Sequence, residues 1–150
     1  FGGYDLWRRS AEVLIPDDLY AHRKGATDSE ALFLCALGEG LDRDPCGALA
    51  RATARFEALA RARGTTPHVR LTCALSDGER LYAVRYASDD QAPTLFHRWS
   101  ETRGGRAVVS EPLESDETGW LEIPQGSFCV FEGERVTVSP FRIEAERSAA

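Results

Sequence analysis

Residues 25–30 read GATDSE, and their types and spacing suit two kinds of chemistry. Thr27 followed three residues later by Glu30 is a capping box, in which each side chain satisfies an otherwise orphaned backbone N–H at a helix start. Asp28 and Ser29 then fall in the first turn, where negative charge suits the positive end of the helix dipole. Gly25 supplies the turn that leads in. The cap, however, needs only Thr27 and Glu30. Asp28 is surplus to it, and a carboxylate projecting from a helix start beside a glycine turn can pair with an ammonium group through a charge-assisted hydrogen bond. The two readings are compatible.

The other constellations that carry chemistry fail. There is no GxSxG elbow, no phosphate-cradling GxxxxGK[ST] loop and no HExxH. His22, His68 and His97 have no ligand-like neighbour three or four residues away, so the residues imply no metal and no cofactor. Asp42-Arg43-Asp44 begins like a calcium loop but lacks the later acidic positions. The carboxylates of residues 111–117 read as a solvated acidic loop. Cys35, Cys46, Cys73 and Cys129 are widely spaced with no CxxC pair, which predicts buried free thiols and a reducing cytoplasm.

The elements that must position Asp28 follow from periodicity. Residues 4–15 place Leu6, Val13 and Leu14 at near-helical spacing, closed by Pro16. Residues 17–24 read as a polar turn carrying Leu19 and Tyr20 inward. Residues 29–37 are apolar almost all round, which predicts a buried helix ended by Gly38-Glu39-Gly40. A third helix, 45–63, sets Leu49, Ala52, Phe56, Leu59 and Ala60 on one face and Arg51, Arg55, Arg61 and Arg63 mostly on the rest, with Gly64 as its stop.

Beyond Gly64 the period changes to two. Strands are predicted at 68–75 and 80–87, joined by an Asp77-Gly78 hairpin turn. Others are predicted at 94–99, 107–110, 119–123, 127–132 and 135–139, the last two joined at Glu132-Gly133-Glu134. Residues 89–93, 101–106 and 111–118 read as loops, and 142–150 as a frayed tail. Helices first and an antiparallel meander afterwards predict an α+β fold with helices layered on a sheet.

Length and charge bound the function. A chain of 150 residues suits one domain, and a net charge of −6 argues against nucleic acid. No apolar run is long enough to span a membrane. The chain contains no methionine and begins at Phe1, which suggests a piece of something longer.

GATDSE followed by an apolar helix resembles the motif of class II glutamine amidotransferases, the N-terminal-nucleophile glutaminases. LSDG with the strand LYAVRYAS, the strand TLFHRW and the segment VVSEPLE are similar to their stand-alone amidotransferase-like branch, which includes γ-glutamyl hydrolases of the ergothioneine pathway. The resemblance covers about residues 2–141. It implies an N-terminal-nucleophile-type sandwich of helices on antiparallel sheet, incomplete here for want of its first strands, with 1–141 as the C-terminal part of the domain. It implies hydrolysis of glutamine or a γ-glutamyl amide through a cysteine thioester.

In that resemblance Asp28 holds the substrate's α-amine, with Thr27 and Gly25 supporting it and Ser29 and Glu30 orienting the helix start. Ser110-Glu111-Pro112 matches a structural part of the site wall. The resemblance places the nucleophile, a mature N-terminal cysteine, in a segment or chain outside these residues. No catalytic residue is therefore expected within them, and the chain alone is expected to be inactive. The expected partners are a glutamine or γ-glutamyl small molecule, the nucleophile-bearing segment, and a second copy of the chain through exposed apolar surface and open sheet edges. The alternative is a non-enzymatic α+β module that binds a protein partner or a small amine.

Overall fold

Tyr4, Trp7 and Ala11 recur at helical spacing, and they form the buried face of the first helix, α1 (Tyr4–Glu12). Leu6 and Val13 are exposed, which corrects the expected face. The aromatic positions win because Trp7 and Tyr4 bury far more area than Leu6 and Val13 would from the opposite side. The computed structural model describes residues 1–112 and 119–143. The chain divides into a helical unit, Phe1–Val69, and a β unit, Arg70–Phe141.

In the helical unit α1 is followed by a one-turn helix, α2 (Asp17–Tyr20). Leu19 is only half-buried and Tyr20 is exposed, so this turn does not carry the pair inward as expected. Helix α3 (Asp28–Gly38) buries Ala31, Leu32, Leu34, Cys35 and Ala36, as its nearly continuous apolar run predicts. Phe33 alone of that run is exposed. Helix α4 (Pro45–Ala62) starts with Asp44 as N-cap and Pro45 in the first turn, and buries Leu49, Ala52, Phe56 and Ala60 on one face. Arg51 and Arg55 on its other face both reach Glu39, at 3.3 and 2.8 Å. Trp7 and Phe56 meet edge-to-face at 5.7 Å, the centre of a fully buried aromatic cluster. Truncating either to alanine should cost on the order of 3–5 kcal/mol.

The β unit is built from two antiparallel sheets, where the sequence predicts one meander. The first has the order β1 (Arg70–Ser76), β2 (Leu81–Ala87), β6 (Ser127–Glu132), β7 (Arg135–Pro140). The second has the order β4 (Gly105–Val109), β3 (Phe96–Ser100), β5 (Leu121–Glu122). β4 begins two residues inside the stretch expected to be loop. The chain leaves the first sheet after β2, makes the second, and returns so that β2 pairs directly with β6, Ala83 opposite Cys129. Local alternation cannot foretell such a pairing.

Ala83, Cys129 and Phe131 of the first sheet pack with Leu95 and Ile123, which flank the second, and with Val108 of β4. The turns after β1 and β6 depend on positive φ, 95° at Gly78 and 57° at Gly133, which glycine adopts without a Cβ penalty. Of the expected acidic loop, residues 113–118 lie outside the described residues, as do 144–150 of the tail.

Candidate functional site

The site is built at the start of α3. Thr27 is the N-cap in an extended conformation, and its hydroxyl oxygen accepts the Glu30 N–H at 3.3 Å. The reciprocal half of the capping box does not form. Glu30 turns its carboxylate to the preceding turn instead, accepting the N–H groups of Lys24 at 2.6 Å and Gly25 at 2.8 Å. Two donors in a tight turn offer a carboxylate more than the single cap N–H does. The Lys24 N–H, burial and the Gly25 N–H, in that order of weight, act on Glu30, and the hydrogen bonds prevail to hold it below its ordinary carboxylate range. A Cβ at Gly25 would stand 3.2 Å from Glu30 Oε2, so any larger residue there would make the carboxylate shift by a few tenths of an ångström.

Freed from capping, Asp28 presents both carboxylate oxygens. Oδ1 accepts the N–H of Ser29 at 2.8 Å and its hydroxyl at 3.3 Å. Oδ2 accepts from the amino nitrogen of Phe1 at 2.8 Å. Burial opposes the charge on Asp28, while the Ser29 N–H and hydroxyl favour it. Asp28 is half-buried, and its Oδ2 is the oxygen turned away from Ser29.

The Phe1 nitrogen is brought there by packing. The Phe1 ring lies 5.2 Å from Phe56 and 6.0 Å from Trp7. Trp7 Nε1 donates to the Gly2 carbonyl at 3.1 Å. A Cβ on Gly2 would lie 2.3 Å from the Pro67 carbonyl oxygen, so only glycine lets the backbone pass. Sequence alone did not single out Phe1, because its contact with Asp28 spans 27 positions. It did not single out Arg23 either. That guanidinium donates from Nε to the Gly25 carbonyl at 3.1 Å, while Nη2 reaches Tyr4 Oη at 3.5 Å and Glu12 at 3.3 Å.

Gly25, Thr27, Asp28, Ser29 and Glu30 are thus drawn into one turn and helix start. Ser110-Glu111-Pro112 follows β4 in the β unit, where the Ser110 carbonyl accepts from Thr94 Oγ1 at 2.9 Å. The four cysteines are free; Cys35 and Cys129 are buried as expected, while Cys46 and Cys73 are only half-buried, and desolvation raises the pKa of each, that of Cys73 to about 11. None has the lowered pKa of an activated nucleophile. Among the described residues no group of three or more His, Cys, Asp or Glu side chains is placed to hold a metal ion. Nor is any helix long and apolar enough to cross a membrane.

Among solved structures the chain is similar to a protein from Silicibacter pomeroyi described as a glutamine aminotransferase class-II domain protein. The two share 52% sequence identity with a TM-score of 0.90, over 95% of this chain and 64% of that one. No family model and no curated protein matches the chain. The mixed α+β fold and this likeness support a class II glutamine amidotransferase-like domain, consistent with an N-terminal-nucleophile-type fold. It spans just under two thirds of that neighbour's length.

Proposed function

We propose that the chain is the amine-binding part of an amidotransferase-like enzyme that hydrolyses glutamine or a γ-glutamyl amide. The observation that carries this is Asp28. Its carboxylate is unneeded by the helix cap, is half-buried, and projects from the helix start beside the Gly25 turn. An α-ammonium group fits the same acceptor. Thr27 and the Gly25 turn set the direction of the helix start from which that carboxylate projects.

In the reaction a thiolate adds to the amide carbonyl, ammonia or an amine leaves with a proton, and water hydrolyses the resulting thioester. Asp28 contributes orientation, holding the substrate so that its amide meets the nucleophile. The raised thiol pKa values of this chain support assigning that nucleophile to another segment or chain, as the resemblance implies. Four free cysteines support a reducing cytoplasm.

Calorimetric titration with L-glutamine and with glutaramic acid, the same molecule without its α-amine, tests the reading. Glutamine should bind more tightly, by about 10- to 100-fold for one charge-assisted hydrogen bond, and Asp28→Ala should abolish the difference. Equal binding of the two compounds would return Asp28 to the helix start alone. Amine-selective binding that supports no turnover in any assembly with a nucleophile-bearing segment would favour a binding module.

A further inference from the structure

Arg23 is placed oddly for a stabilising residue. Its side chain is 7% exposed, so the guanidinium is largely removed from water. Its nearest carboxylate, Glu12, is at 3.3 Å, and among the described residues its Nη1 is buried with no hydrogen-bond partner. A buried charge with an unmade bond costs stability, and an apolar side chain of similar length is often at least as stable in such a position.

What arginine supplies, and an apolar side chain does not, is polar contact with two elements at once. Nε takes the Gly25 carbonyl at 3.1 Å, and Nη2 reaches back to Tyr4 and Glu12 on α1. On the other polar edge of the same turn Glu30 takes the Gly25 N–H at 2.8 Å and the Lys24 N–H at 2.6 Å. The peptide groups around Gly25 are therefore gripped from both sides, by a cation anchored to α1 and by an anion anchored to α3. Two residues later the chain enters the Thr27 cap, and Asp28 follows.

We infer that Arg23 is the positioning residue of the amine site: it fixes the Gly25 turn against α1 so that the Asp28 carboxylate meets a ligand ammonium at the correct angle. This rests on the amine-binding reading of Asp28. Arg23 touches no ligand and takes no part in bond making. Lysine cannot replace it, because the grip needs a planar group that reaches a carbonyl with one nitrogen and α1 with another.

The test is the ratio of L-glutamine to glutaramic acid affinity, measured by calorimetry on the 150-residue protein and on Arg23→Met and Arg23→Lys, with thermal melting alongside. Both variants should weaken glutamine binding about tenfold, the equivalent of one well-made hydrogen bond, and leave glutaramic acid binding unchanged. The Arg23→Met melting temperature should stay near that of the parent. If Met fails to fold, Lys, which keeps the charge, still reports the ratio. An unchanged ratio in a folded variant, or an equal loss for both compounds, overturns the role of Arg23. If the parent protein does not discriminate, the amine site itself falls, and the role of Arg23 with it. If Asp28→Ala removes discrimination while both Arg23 variants keep it, only the positioning role is lost.

Discussion

Glu30 Oε2 accepts the Gly25 N–H at 2.8 Å, so the helix start is tied to the turn before it and not to its own cap residue. The capping hydroxyl of Thr27 is left to hold the Glu30 N–H alone. The consequence is a closed loop of six residues, 25–30, whose stiffness depends on one carboxylate. Glu30→Ala should raise the amide hydrogen exchange of Lys24 and Gly25 by about tenfold while amides in the middle of α3 change little. Exchange that rises evenly along α3 would show that Glu30 stabilises the helix as a whole.

Asp28 Oδ1 accepts the Ser29 N–H at 2.8 Å and the Ser29 hydroxyl at 3.3 Å, bonds that favour the ionised form against its burial. A depressed folded-state pKa means that the charge, and any stability linked to it, is present above the unfolded value and is lost as pH falls through the folded one. The preference for L-glutamine over glutaramic acid should therefore persist from about pH 8 down to about pH 5 and vanish only in stronger acid. Titration at a series of pH values checks this. A preference already lost near pH 6 would place the amine on a different group.

Burial pushes all four thiols up, and a thiol at about 11, as at Cys73, is ionised at neutral pH in roughly one molecule in ten thousand. Iodoacetamide at pH 7 should leave Cys35, Cys73 and Cys129 unmodified in the native protein and alkylate them in denaturant, as intact-mass measurement would show. Rapid native alkylation of any one of them would identify a reactive thiol and bring the nucleophile back into this chain.

Local signals in the sequence were sound where local physics decides. The Thr27 cap, the apolar α3, the amphipathic α4 and the glycine turns at Gly78 and Gly133 all depend on neighbours a few residues away. The failures are non-local. Which face of α1 is buried depends on Phe56, far along the chain, meeting Trp7. The separation of the strands into two sheets depends on β2 finding β6 across three intervening strands. At the site, Asp28 was legible because it stood outside the capping pattern. Arg23 and Phe1 were not, since their partners Tyr4, Glu12 and Asp28 are 11 to 27 positions away.

The β1–β2 turn carries its own pH dependence. Asp77 accepts the Arg80 N–H at 2.7 Å, the Tyr82 hydroxyl at 2.7 Å and the Glu79 N–H at 2.9 Å, which lowers its pKa from 3.8 to about 2. The stabilisation is complete above about pH 4 and is lost as pH falls toward 2. Melting temperature should decline over that interval, and Asp77→Ala should lower it at pH 7 and flatten the decline. A variant curve parallel to that of the parent would assign the acid sensitivity to other carboxylates.

Arg85 links the two sheets of the β unit through one guanidinium. It projects from β2, is almost fully buried, and donates from Nη1 to Glu122 of β5 at 2.5 Å and to the Ile123 carbonyl at 2.7 Å. Its Nε takes the Pro93 carbonyl at 2.8 Å, and Nη2 the Ala92 carbonyl at 3.3 Å. One guanidinium thus satisfies the segments that enter β3 and leave β5. Arg85→Ala would strand these carbonyls and leave Glu122 without its partner, at a cost on the order of 1–3 kcal/mol for the unsatisfied carbonyls. Glu122 is half exposed, so Glu122→Gln should cost less, on the order of 1 kcal/mol or below. In the double variant the cost should fall short of the sum, because Glu122 is no longer left charged and unpaired. Urea denaturation of the parent and the three variants measures all of these quantities. Additive costs would mean that Arg85 acts through the carbonyls alone, and that the ion pair contributes nothing to holding β5 against β2.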